Sequence, residues 1–253
     1  MQSGSSVRVH RRKLFLDGAP WSVLSPRPSD ESRYATVAVD GRWQIDCDLA
    51  SLDDFAHMVW ATAFQNQPRT VLLFDFGSLL APVDDEPDSL PFVLAPSELD
   101  LPSDVVLAEL RAQLPMTKPS EGTIRLRTAG LDRALVAPGA FLAKEAAADG
   151  AIKWDASQWS EWVTDAAGML RIVAPAPVLR AYALAAAEFG TLAWGSGDPG
   201  EPSPVAHEFV CFDRSIVRRS EELRAHRERE FPGRALADLT ASDRQKLWDF
   251  TLR

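Results

Sequence analysis

A chain of 253 residues with 46% hydrophobic content can bury about three quarters of the surface its unfolded form exposes, so a sizeable core needs no disulfide or metal staple. The formal charge of −9 is carried by one region: Asp30 to Leu110 holds sixteen Asp or Glu against three Arg and no Lys, while the flanks are basic or neutral. That balance argues against nucleic-acid binding through the acidic half and speaks to association, not to chemistry.

The basic stretch Arg8 to Lys13 is followed by only Leu14 to Leu16, far short of the apolar run a secretory leader requires, and no run approaches a membrane span. Cys47 and Cys211 are too few for a disulfide framework or a four-ligand zinc site. The expectation is a soluble, cytoplasmic protein with no membrane partner.

Two Asp-Gly pairs, Asp17-Gly18 and Asp40-Gly41, sit between apolar segments and predict tight hairpins joining Lys13–Leu16 to Trp21–Leu24 and Tyr34–Val39 to Arg42–Cys47. Ser51 with Asp54 resembles a capping box, and Leu52, Phe55, Val59 and Ala63 then share one face of a helix over 52–65. Val71 to Phe76 is a continuous apolar strand suited to a central position.

Pro82 to Pro102 holds five prolines and many carboxylates, which predicts a long loop or a linker. Beyond it the pattern predicts a helix over 103–114, a strand over 123–127 and a helix over 139–149. Asp155 with Gln158 caps a further helix, along which Trp159, Trp162, Val163 and Ala166 fall at helical spacing. A strand over 169–174, a helix over 177–189 closed by Gly190, and a strand over 207–212 follow. The tail predicts a solvated helix over 215–230 and a short terminal helix from Ser242. The fold class is α+β: N-terminal antiparallel hairpins and a mixed sheet packed with several helices, ending in helices. Residues 1–253 are expected to form one unit, with 82–102 as the candidate boundary between 1–81 and 103–253.

Phe74-Asp75-Phe76-Gly77-Ser78-Leu79 resembles the first motif of haloacid-dehalogenase-type phosphatases. That resemblance makes Asp75 the nucleophile, but Gly77 stands where the second aspartate would act as general acid and base. Asp46 and Asp48 lie two apart on a predicted strand, a spacing that places two carboxylates on one face. Convergence of Asp46, Asp48 and Asp75 with the Asp84-Asp85-Glu86 run would hold magnesium or manganese for a phosphohydrolase or nuclease. Gly195-Ser196-Gly197-Asp198-Pro199-Gly200 has the letters of a dinucleotide fingerprint, yet Pro199, Pro202 and Pro204 occupy the place where its helix must begin. The spacing of Arg219 and His226 resembles that of HEPN ribonucleases.

No catalytic spacing dominates the chain. The expected function is therefore a non-catalytic interaction protein, an inhibitor, immunity-type protein or structural subunit of a larger complex, with no cofactor. Its expected contact surface is the acidic run Asp84, Asp85, Glu86 and Asp88, facing a basic protein partner, together with Arg218, Arg219 and Arg224 of the tail helix. The alternative expectation is the metal-dependent hydrolase with Asp75, Asp46 and Asp48.

Overall fold

Asp17 and Gly18 take φ angles of 48° and 69°, as a two-residue hairpin turn requires, and fold β1 (Ser6–Leu16) onto β2 (Ala19–Pro26) with Leu16 opposite Ala19. The computed structural model describes residues 6–27, 34–39, 42–75, 89–116, 119–148, 163–194, 209–212 and 216–251. The second hairpin, β3 (Tyr34–Val39) with β4 (Arg42–Asp48), also forms in the register its Asp-Gly pair predicts. Helix α1 (Leu49–Thr62) starts ahead of Ser51, which is buried in its first turn, and leads to β5 (Thr70–Phe74).

The chain then runs through β6 (Phe92–Pro96), α2 (Asp104–Arg111), β7 (Gly122–Arg127), α3 (Ala129–Val136), α4 (Pro138–Ala148), β8 (Val163–Ala166) and β9 (Met169–Ala174). It closes with α5 (Ala176–Trp194), β10 (Phe209–Phe212), α6 (Ile216–Glu230), a 3-10 turn (Leu236–Asp238) and α7 (Ala241–Thr251). Seven strands form one sheet in the order β7-β1-β2-β5-β6-β9-β8, and β10-β4-β3 form a second. The β2–β5 and β6–β9 pairs are parallel and all others antiparallel, so the fold is α+β with a mixed sheet. Among the described residues no helix is long and apolar enough to cross a membrane.

Strand alternation divides the core in two. Leu72 and Phe74 of β5 and Leu94 and Phe92 of β6 face a large cluster shared with α1, α5 and the small sheet. Val71, Leu73, Val93 and Ala95 face the other way, onto Val106, Leu107 and Leu110 of α2. Phe74 lies opposite Phe92 in register, their rings stacked at 4.3 Å, with Tyr34 and Phe55 inclined against Phe74 at 5.5 and 5.6 Å. Helix α5 brings buried Ala183, Ala185, Ala186 and Ala187 into this cluster, and their small side chains let helices approach closely.

Three expectations are corrected. The stretch 82–102 is not loop throughout, because Phe92–Pro96 inside it is a buried strand paired with both β5 and β9. Its run Phe92-Val93-Leu94-Ala95 is apolar on both faces, which a two-sided central strand needs, and Pro91 and Pro96 only bound it. Val163 and Ala166 belong to a strand, not a helix: Ala167 and Gly168, at φ 55° and 69°, turn β8 onto β9. Gly190 does not close α5, which continues to Trp194. Gly190 lies inside the helix against α1, where a side-chain carbon would meet the Asp53 backbone nitrogen at 3.6 Å, an ordinary van der Waals contact.

Phe74→Ala should lower unfolding free energy by about 3–5 kcal/mol in a urea titration, because it opens a cavity beneath Phe92 and Phe55. A loss under 1 kcal/mol would contradict the central place given to this pair.

Candidate functional site

Even-numbered residues of β1 face the α2 side of the sheet: Leu14 and Leu16 enter the small core, and Arg8, His10 and Arg12 occupy the same face farther along. Register then sets their neighbours. Arg8 lies opposite Arg125 and His10 opposite Thr123 on β7, while His10 lies opposite Ser25 and Arg12 opposite Val23 on β2. Arg27 directly follows Pro26, the partner of Val9, and so comes up beside Arg8. Arg127 is two residues beyond Arg125 on the same face.

Three arginines thus stand side by side on adjacent strands, Arg27, Arg8 and Arg125, with cross-strand spacing of about 5 Å. Beneath them runs a row of hydrogen-bonding groups, Ser25, His10 and Thr123. Arg8, Arg27, Arg125 and Arg127 are exposed and have no ion-pair or hydrogen-bond partner among the described residues. Helix α2 covers only the apolar half of this face. Arg171 holds its start through Asp104 at 2.9 Å and the Pro102 carbonyl at 3.1 Å, and Glu109 near its end accepts the Asp17 amide at 2.7 Å.

The floor of the polar half is buried. Arg12 is 7% exposed and donates from Nη1 to Ser25 Oγ at 2.8 Å. Asp75, 2% exposed at the end of β5, accepts the Met116 amide at 3.1 Å. Burial draws the Arg12 guanidinium below its ordinary pKa, and the negative charge of Asp75 opposes that shift. Next to it, His10 Nδ1 is buried with no hydrogen-bond partner. Desolvation, then the charges of Arg12 and Arg27, hold the imidazole below its ordinary 6.5, so at neutral pH it is uncharged.

The residues Asp46, Asp48 and Asp75 come from different sheets. Asp46 and Asp48 belong to β4 of the small sheet, opposite Cys211 and Phe209, and their neighbours Ile45 and Cys47 enter the large core. Asp75 follows Leu73 on the α2 face of the large sheet. Among the described residues no three His, Cys, Asp or Glu side chains gather in a way that could hold a metal ion. Asp84, Asp85, Glu86, Asp88 and the glycine-rich stretch 195–200 lie outside the described residues.

On α6, Arg218 and Arg219 are exposed, and Arg218 pairs with Glu222 at 3.3 Å. Arg224 is not part of that surface. It turns inward, with Nε 2.9 Å from both oxygens of Glu188 on α5, and Nη2 donates to Ser220 Oγ at 2.8 Å. Ser220 also donates to Glu188, itself 2% exposed, so this cluster fastens the tail helix to α5. His226 stacks on Phe250 at 4.0 Å.

No protein-family profile, no curated protein and no solved structure matches this chain. The arginine face does have a trace in the sequence, where Arg8-x-His10-x-Arg12 and Arg125-x-Arg127 repeat at the strand period of two. Sequence reasoning tested the first run only as a leader and missed the second.

By NMR, His10 should titrate below 6.5. Because the unfolded chain takes up that proton first, His10 should lower native stability as pH falls from about 6.5 through its folded value, and His10→Gln should flatten that part of the profile. The groups facing it are Arg8 and Arg12 on its own strand, Ser25 and Arg27 from β2, and Thr123 and Arg125 from β7. Glu188→Ala should cost about 3–5 kcal/mol by leaving Arg224 buried and unpaired, and the Glu188→Leu, Arg224→Met double variant should recover most of it.

Proposed function

We propose that this protein is a cytoplasmic interaction protein that docks a negatively charged partner on the arginine-lined face of β7, β1 and β2. The observation that carries this reading is the row Arg27, Arg8, Arg125, unpaired among the described residues. Like charges directly opposite on neighbouring strands destabilise a sheet, each pair by about 0.2–1 kcal/mol. A chain with thirty-six acidic side chains has ample carboxylates to neutralise such a row, and none does so among the described residues. An external anion offsets the repulsion when it binds.

Asp75 then has a positioning role. Beneath the row it compensates Arg12, which lets one guanidinium be buried under a face that is otherwise cationic. As the nucleophile of a magnesium- or manganese-dependent hydrolase it would have to meet substrate, whereas it is 2% exposed and already accepts the Met116 amide. The acidic run 84–88 remains the proposed second contact, toward basic regions of the same partner.

The charge of the whole protein makes the test discriminating. At −9, non-specific attraction favours polycations, so the folded protein should bind poly-L-lysine weakly at most sites and yet bind poly-L-glutamate saturably at the arginine face. Isothermal titration at 50 and 300 mM salt should show poly-L-glutamate binding that weakens with salt and falls at least tenfold in the Arg8→Gln, Arg125→Gln variant. Equal binding by that variant, or no binding of the polyanion, would remove this face from the function.

A further inference from the structure

The same face carries more than charge, and its second row narrows the ligand. We infer that the notch formed by Arg8, Arg27, His10 and Arg125 receives a phosphate monoester, presented as a phosphorylated serine or threonine on a peptide segment of the partner. This deepens the docking reading above and rests on it.

Charge density comes first. Guanidiniums rooted about 5 Å apart on three strands converge more positive charge than one carboxylate can neutralise, whereas a phosphate monoester brings about −1.5 to −2 and three acceptor oxygens. Planar carboxylate takes one forked arginine in its plane. Tetrahedral phosphate can take Arg8 and a flanking arginine at once and keep an oxygen for a donor from below. That third donor is available. His10 lies one step down the strand from Arg8, between Ser25 and Thr123, with Nδ1 buried and lacking a partner. A buried ring nitrogen without a hydrogen bond is costly, and an oxyanion seated above it would supply the missing partner.

A peptide is favoured over a nucleic acid by what the face lacks. Its described residues, Arg8, His10, Arg12, Ser25, Arg27, Thr123, Arg125 and Arg127, include no Phe, Tyr or Trp on which a base could stack. A peptide is also favoured by the sheet edge. Strand β7 ends the order of seven, so among the described residues one side of its backbone is unpaired, and an extended segment can add there as an eighth strand beside Arg125 and Arg127.

Binding transfers one proton and forms no covalent bond to the ligand. As the dianion seats, neutral His10 takes a proton from the buffer acid, which is left as its conjugate base, because the phosphate charge outweighs that of Arg12 and Arg27 around the ring. Asp75, behind Arg12, and the hydroxyls of Ser25 and Thr123 are the remaining polar groups facing the notch.

The test uses the full chain with four probes: inorganic phosphate, the peptide Gly-Gly-Thr-pSer-Thr-Gly-Gly, its pSer→Glu counterpart, and a twelve-nucleotide oligothymidylate. The phosphopeptide should bind at least tenfold more tightly than the glutamate peptide by titration calorimetry. His10→Gln should remove most of that advantage. In the unaltered protein, inorganic phosphate should move the His10 ring signals and raise their titration midpoint, a readout that needs no variant to fold. Equal affinity for the phospho and glutamate peptides would overturn the phosphate assignment and leave the docking face standing. Tighter binding of the oligonucleotide than of the phosphopeptide would overturn the peptide assignment. If no probe binds and phosphate leaves His10 unmoved, the docking face and the phosphate notch both fall.

Discussion

Side chains of an extended strand alternate between its two faces, and this constraint organises the molecule. In β5 and β6 both faces are covered, so every residue of Thr70–Phe74 and Phe92–Pro96 is buried. The constraint relaxes toward the β7 edge. There one face still meets the large core through Val9, Ile124 and Leu126, and the other changes from leucine to arginine along a single strand, β1. Near its end α2 reaches the Asp17 amide through Glu109, so the helix covers the leucine end of β1. A helix of eight residues reaches about 12 Å, while seven strands span roughly 29 Å, so α2 cannot shield the whole face.

Charge is handled differently at the two ends of the protein. Between α5 and α6, Glu188, Ser220 and Arg224 satisfy one another inside the fold, which fastens a helix otherwise poor in apolar contacts. Toward the β7 edge of the sheet, Arg12 is matched internally, by Asp75 and Ser25, and the arginines above it face outward. An internally satisfied cluster contributes rigidity; an unsatisfied one stores repulsion that a ligand can relieve. The two arrangements set Arg224 inside the fold and Arg8 on its surface, although both are the same residue type.

Local signals in the chain anticipated the parts governed by local physics. Asp17-Gly18 sets its hairpin because a two-residue turn needs positive φ, which Asp and Gly tolerate, and β3 pairs with β4 in the register expected from Asp40-Gly41. The apolar run at Val71 became a central strand, and Ser103 caps α2 through the Val106 amide. Phe92–Pro96 was hidden because its flanking prolines and carboxylates dominated the window around it. Gly190 does not end its helix because the apolar residues around it are held by packing on α1, which a local glycine signal does not register.

Composition and spacing by themselves determined the α+β class, the hairpin registers and the segregation of acidic side chains, since each depends on neighbours within a few residues. Only tertiary structure decided that Arg125, far along the chain, joins Arg8 and Arg27 of the first hairpin in one row, and that Asp75 belongs with the large sheet while Asp46 and Asp48 belong to the small one. The reason is that a strand's partners are chosen by burial of the whole sheet, not by anything written beside the strand itself.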